Sequence, residues 1–197
     1  MKRANIIIAL EGIDGAGKST IIALLKKEYG EKISVYSRTQ KGNFLDSFLS
    51  TSFMQKNYWI QAPIYLLLSY INYLRLGRVP PNNVIIMDRC FLSNICYFFP
   101  KALKNVQLYK FLCFFEIKLM PRCIFIIDVD PRIGRVRDQN KKTLEWLIET
   151  KQHYRQAKTA ITLKQYKIQI IEKDFELTQK VKIVNEYLKG EFCNGYR

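Results

Sequence analysis

Gly12-Ile13-Asp14-Gly15-Ala16-Gly17-Lys18-Ser19-Thr20 has the spacing G-x-x-x-x-G-K-S/T and lies between an apolar run and an amphipathic one. Each residue type answers a need of phosphate binding. Glycines let the main chain curl until its N–H groups converge on phosphate oxygens, a lysine closing the loop reaches the β- and γ-phosphates, and the hydroxyl after it can ligate Mg²⁺. A helix beginning near Lys18 would add the positive end of its dipole. The stretch therefore predicts a site for ATP with Mg²⁺, built from Gly12, Asp14, Gly15, Ala16, Gly17, Lys18, Ser19 and Thr20. Asp14 is the odd member, because a carboxylate inside the loop opposes the anion being bound. It predicts a separate task, such as accepting a hydrogen bond from a sugar hydroxyl of a second substrate or ordering a metal-bound water. The plain alternative is an aspartate of an ordinary turn.

Asp88 and Arg89 follow the apolar run Val84–Met87. A carboxylate at the end of a central strand can hold magnesium directly or through water, and an arginine beside it offers a planar donor fork to a second phosphate. Cys123–Ile127 is another apolar run ending in a carboxylate, Asp128, whose ordinary role would be to cap the turn at Pro131. Only Asp88 has an adjacent arginine that gives the pair a joint use, which favours it for the metal.

These groups need a scaffold, and the chain has the pattern of one. β-Branched apolar runs at Asn5–Leu10, Ile33–Tyr36, Val84–Met87, Cys123–Ile127 and Ile168–Ile171 are separated by longer amphipathic segments. Those segments are Lys18–Glu28, Phe44–Phe53, Trp59–Leu76, Phe91–Phe98, Val106–Met120, Thr143–Ala160 and Leu177–Leu188. The alternation predicts an α/β fold, a doubly wound parallel five-stranded sheet with helices on both faces, in one domain over residues 1–197. Pro131–Lys142 is polar, basic and poorly periodic, and reads as a mobile flap or as a solvated connection.

Hydrophobic residues make up 48% of the 197 positions and charged ones 25%, which excludes disordered and low-complexity classes. Lys plus Arg number 32 against 17 Asp plus Glu, a formal charge of +15 that attracts anions, nucleotide or nucleic acid alike. Five cysteines without a C-x-x-C pair argue against a zinc site or a disulfide framework and predict buried reduced thiols. No leader is seen before the first apolar run, and Pro63–Leu76 is too short and too polar for a bilayer span, so a cytoplasmic protein without a membrane partner is expected. His153 is the single histidine and is expected to be solvated. Leu108, Phe111, Leu112, Phe115 and Leu119 form a helical stripe that reads as core, or as a dimer face.

Three ordered segments resemble the thymidylate kinases. Glu11–Thr20 resembles that family's phosphate loop, internal acidic residue included. Asp88-Arg89-Cys90-Phe91-Leu92-Ser93-Asn94-Ile95-Cys96-Tyr97 resembles its D-R-Y/H-x-x-S-x-x-A-Y stretch, with Cys90 and Cys96 departing from the pattern. Asp128-Val129-Asp130-Pro131, with Gly134 and Arg137 after it, resembles the D-V-x-P-x-x-G-x-x-x-R segment leading into the family's lid. The resemblance covers nearly the whole chain. It implies a P-loop kinase fold with a short lid over about residues 131–145, ATP and Mg²⁺ as cofactors, a deoxynucleoside monophosphate acceptor with dTMP favoured, and a homodimer.

By the same resemblance, Asp14 meets the acceptor's 3′-hydroxyl, Arg89 its 5′-phosphate, Ser93 and Tyr97 its neighbourhood, and Arg137 the adenine side of ATP. Family members without a phosphate-loop arginine supply one from the lid. With Gly15 and Ala16 in the loop, that task would fall to Arg135 or Arg137, with Lys141 and Lys142 behind them. Ser37-Arg38-Thr39-Gln40-Lys41-Gly42 keeps only the arginine, Arg38, and a glycine of the family's T-R-E-P-G-G. In the helix that would meet the base, Tyr70 or Tyr73 could stack on it and Asn72 or Arg75 could bond its edge, while simple helix packing explains the tyrosines equally well.

The expected reaction is transfer of the γ-phosphoryl group of Mg-ATP to dTMP, with Lys18, Asp88, Arg89, Arg135 and Arg137 as the catalytic set. Two other classes stand beside it. A deoxynucleoside kinase shares the loop and the D-R pair but needs a carboxylate base. A non-catalytic protein binding nucleotide or nucleic acid would explain the charge.

Overall fold

A computed structural model describes residues 6–37, 84–113, 121–139 and 141–194. Every apolar run expected to be a strand is one: β1 Ile6–Glu11, β2 Ile33–Ser37, β3 Val84–Asp88, β4 Cys123–Ile127 and β5 Lys167–Ile171. They pair in parallel in the order β2-β3-β1-β4-β5. Successive residues of a strand face opposite sides of a sheet, and Ile8, Ala9 and Leu10 are all 0% exposed, so both faces of the central strand are covered. Such double burial is why β1, β3 and β4 read as continuous apolar runs, while the edge strands β2 and β5 admit Ser34 and Gln169.

Helices α1 Lys18–Tyr29, α2 Phe91–Phe98, α3 Val106–Cys113, α4 Pro131–Arg137, α5 Leu144–Ala157 and α6 Leu177–Asn194 supply the cover among the described residues. α1 packs on α6, and α2 on α5. α5 buries Leu147, Thr150, Tyr154 and Ala157, one stripe at helical spacing, and Thr143 caps its start by accepting from the Trp146 N–H at 3.3 Å. The expected helices at 44–53 and 59–76 lie outside the described residues, as do Arg38, Tyr70, Asn72, Tyr73 and Arg75 and the side chains of the 108–119 stripe. Cys90, Cys96 and Cys123 are buried free thiols, as their lack of paired spacing predicts. Among the described residues, no helix is long and apolar enough to cross a membrane.

The order puts β1 between β3 and β4, so the crossovers diverge at its carboxyl end and leave a crevice there. Leu10 pairs with Asp88 and Glu11 with Ile126, which brings the loop after β1, the Asp88-Arg89 pair and Asp128 out side by side.

Pro131–Lys142 departs from the irregular flap expected of it, because Pro131–Arg137 is helical. Proline suits the first turn, where its missing N–H has no intrahelical partner to lose, and Asp130 caps the helix by accepting from the Arg132 N–H at 2.8 Å. The cap is thus Asp130, not Asp128, and seven residues are too few to display a period.

α4 rests directly on the loop after β1. A Cβ at Gly15 would stand 2.2 Å from the Gly134 carbonyl oxygen, and one at Gly134 would stand 2.8 Å from that of Asp14. Gly134→Ala is therefore expected to push α4 off the loop at a cost of about 1–3 kcal/mol. A fall in Tm of roughly 2–10 °C and weaker ATP binding by calorimetry should follow; an unchanged Tm would mean the two backbones are not in that contact.

Candidate active site

The loop from Gly12 to Gly17 carries three glycines at positive φ: Gly12 at 131°, Gly15 at 76° and Gly17 at 89°. A Cβ at Gly12 would stand 2.5 Å from the Ile127 carbonyl oxygen, so both the conformation and the space at that position require glycine. Gly17 precedes α1 without any side-chain cap, and the first turn of α1 holds no acidic residue. Its free N–H groups and dipole are left for an anion from outside.

Lys18 is 7% exposed and folds back along the loop, donating to the carbonyl oxygens of Gly12 at 3.1 Å and Ile13 at 3.0 Å. Burial, then the nearby Arg89 charge, bring its pKa down to about 8, against opposition from Asp14, Asp88 and Glu11. Because that value lies below the ordinary 10.5, charged Lys18 costs the empty fold stability at and below pH 8, and the cost fades as pH rises toward 10.5. A triphosphate pairing with the ammonium would reverse the balance. ATP affinity is expected to be flat below about pH 7 and to fall up to tenfold per unit as pH rises past 8, with about half a proton taken up on binding at pH 8. Calorimetry in buffers of different ionisation enthalpy measures that proton; none taken up at pH 8 would contradict it.

Asp88, at the carboxyl end of β3, has no hydrogen-bond or ion-pair partner among the described residues, and Ser19 is exposed in the first turn of α1. A free carboxylate and a free hydroxyl flanking Lys18 form a donor set of hard oxygens suited to Mg²⁺. Asp128 is already engaged. It is 5% exposed and paired with Lys151 at 2.7 Å and Arg155 at 2.8 Å, two cations one turn apart on α5.

Arg89 has φ 75°, a left-handed conformation that costs a side chain of its type about 1–2 kcal/mol. Its guanidinium is held from many sides. It pairs with Asp14 and donates to the Gly12 carbonyl at 3.1 Å, to Ser93 Oγ at 3.2 Å and to the Tyr97 hydroxyl at 3.1 Å, and it lies 5.1 Å from the centre of the Tyr97 ring. Burial opposes the Arg89 charge, but Tyr97, Asp14, Tyr154 and Glu11 outweigh it and hold the pKa well above its ordinary range. Burial alone would raise the Asp14 carboxyl; Arg89, Lys18 and Lys142 together pull it lower. Asp14 is thus an ion-pair partner of Arg89, a contact its place in the loop gave no reason to expect. Glu11, 0% exposed, lies behind Arg89 and accepts hydrogen bonds from Ser93 and from Tyr154 of α5.

On the other side of the loop opens a cavity of about 530 Å³, within the range of small-molecule sites. Ala16, Gly17 and Thr20 form its floor, Ile133 and Arg137 of α4 one wall, and Phe175 and Lys180 another. Arg135 does not line it, and its half-buried side chain leaves Nε without a hydrogen-bond partner among the described residues. Lys142 lies 4.8 Å above the Trp146 ring, which packs edge-on against Tyr97 with centroids 4.8 Å apart.

The profile described as thymidylate kinase matches residues 10–184. The chain belongs to the thymidylate kinase family. Members of that family are ATP-dependent phosphotransferases. A probable thymidylate kinase of Saccharolobus solfataricus is 31% identical over 46% of this chain and 49% of its own length. A thymidylate kinase of Campylobacter jejuni is 28% identical over 68% of this chain and 70% of its own. Among solved structures, a deoxyadenosine kinase from M. mycoides with bound dATP has a TM-score of 0.70 at 14% identity, covering 93% of this chain and 100% of that one. A thymidylate kinase from Ehrlichia chaffeensis has a TM-score of 0.66 at 19% identity, covering 94% and 99%. Both share the five-stranded parallel P-loop fold.

In this thymidylate kinase family member, the predicted residues Gly12 to Thr20, Asp88, Arg89, Ser93 and Tyr97 come together at one crevice, and Arg137 faces the cavity beside it. His153 is half-buried rather than simply solvated: Nδ1 stands 2.9 Å from the Cys96 carbonyl and donates to it, tying α5 to α2. Glu11, Trp146, Tyr154 and Phe175 were not singled out from sequence. Glu11 alone carried a signal, a carboxylate closing an otherwise apolar buried strand.

Proposed function

We propose that the protein moves the γ-phosphoryl group of Mg-ATP onto the phosphate of a deoxynucleoside monophosphate, dTMP before others, giving ADP and the nucleoside diphosphate. The observation that carries this reading is two anion-binding groups meeting at one crevice. Lys18 and the uncapped amides of α1 stand on the donor side; Arg89, bonded to the Gly12 carbonyl of that same loop at 3.1 Å, stands on the acceptor side. An oxygen of the acceptor phosphate attacks the γ-phosphorus while its bond to the β–γ bridging oxygen breaks, and ADP leaves. The acceptor oxygen is already ionised, so no strong base is needed, and the residues' work is to align two anions and offset their charge. Ser19 and Asp88 would hold Mg²⁺, which spreads charge from the β- and γ-oxygens when bound. The donor's base fits the cavity between Arg137 and Phe175, while Arg135, Lys141 and Lys142 supply positive charge from the lid. A magnesium requirement, a homodimer and a cytoplasmic location belong to the same reading, supported by the family.

The likeness of fold to a deoxyadenosine kinase supports a second reading, phosphorylation of a nucleoside hydroxyl. That reaction needs a carboxylate base; of the carboxylates at the crevice, Asp14 is paired with Arg89, Glu11 accepts hydrogen bonds on both oxygens, and Asp88 is the one assigned to Mg²⁺ in the first reading. ADP release with Mg-ATP against a panel of nucleoside monophosphates and free nucleosides separates the two. Turnover with dTMP is the expected result. Turnover with nucleosides only would establish the second reading, and no turnover together with steeply salt-dependent oligonucleotide binding would mean a non-catalytic protein.

A further inference from the structure

We infer that Glu11 and Tyr154 are positioning residues for acceptor binding, which they serve by fixing how hydroxyl groups are presented to Arg89. The inference rests on Arg89 being the ligand of the acceptor phosphate. Glu11 accepts four hydrogen bonds in two sets. One oxygen takes the backbone N–H groups of Cys90 at 2.7 Å and Ser93 at 3.2 Å; the other takes the Ser93 hydroxyl at 2.7 Å and the Tyr154 hydroxyl at 2.9 Å. A hydroxyl has one hydrogen to give. Ser93 Oγ and the Tyr154 hydroxyl also stand 3.1 Å apart, but with Glu11 taking both of their hydrogens they can only accept, and Nη1 of Arg89 shares its two hydrogens among them, at 3.2 Å and 3.5 Å, the Gly12 carbonyl and Tyr97. The amide contacts meanwhile pin the chain immediately after Arg89, whose left-handed φ of 75° needs support from its surroundings. One buried carboxylate thus sets both the backbone and the hydrogen-bond polarity around the acceptor ligand.

Glu11→Gln tests this polarity with almost no change of shape. The two backbone amides can only donate, so the glutamine oxygen must stay on their side and its NH₂ must face the hydroxyls. Ser93 and Tyr154 then accept from the amide; one of their hydrogens can pass to the other hydroxyl across 3.1 Å, and the remaining one turns toward Arg89, donor against donor. The KM for dTMP is expected to rise about 30-fold while the KM for ATP stays within about twofold. Adding Tyr154→Phe to that variant removes one turned hydroxyl and should recover part of the loss, although Tyr154→Phe alone raises the dTMP KM about fivefold. Equal changes in both KM values, or a double variant worse than Glu11→Gln, would overturn the inference. If circular dichroism shows Glu11→Gln unfolded, Tyr154→Phe alone decides, and an unchanged dTMP KM overturns it. Wild-type turnover is read in the same assay: its absence defeats the proposed function, whereas wild-type turnover with unselective variants defeats only this inference.

Discussion

Lys18→Ala is expected to lower kcat with Mg-ATP and dTMP by at least about 10³-fold, the scale of losing a preorganised charge on the transferred group. Its fold should survive. Lys18 is buried against the Arg89 charge, and burial with that repulsion is what brings its pKa to about 8, so removing the ammonium relieves a cost rather than a support. The two hydrogen bonds it gives up end on carbonyl oxygens of its own loop. Thermal unfolding at pH 7 should therefore show a Tm no lower than wild type, and dTMP should still bind by calorimetry. Near-wild-type turnover would remove the lysine from the donor site, and a collapsed Tm would make its role structural.

Arg89→Met is expected to raise the KM for dTMP by about 100-fold or more, with the KM for ATP changed only a few-fold. Methionine keeps much of the length and pays the same left-handed backbone cost, so the comparison isolates the guanidinium. Arg89→Lys restores a charge without the planar fork and should recover only part of the loss, leaving about a tenfold deficit. Asp14 reports the change independently: it loses its ion-pair partner, so its carboxyl, now held low, should titrate at higher pH by NMR. Equal losses for ATP and dTMP would contradict the assignment of Arg89 to the acceptor.

The loop proposed for the donor was legible because its chemistry is local: nine adjacent residues contain the turn, the cation and the hydroxyl proposed for the metal. The strands and their parallel sheet were legible by the same economy, since buried parallel strands write themselves as apolar runs, whereas the order β2-β3-β1-β4-β5 depends on crossovers that no single run records. Glu11 and Tyr154 were not legible, because they meet across 143 positions and each reads as part of a core element. Asp88 was preferred over Asp128 for its neighbouring arginine, yet what withdraws Asp128 is Lys151 and Arg155, spaced one helical turn apart on a helix whose docking no local pattern reveals. His153 was misread for the same reason, its partner being a backbone carbonyl of another helix. A short helix capped by Asp130 and started by Pro131 was hidden by its length.

The fate of the γ-phosphorus decides most. With ATP labelled at that phosphorus, Mg²⁺ and unlabelled dTMP, the label should appear as the β-phosphate of dTDP in step with ADP, and should vanish from product in Lys18→Ala. Label released as inorganic phosphate, or incorporated only when thymidine replaces dTMP, would contradict transfer between two phosphates held by Lys18 and Arg89.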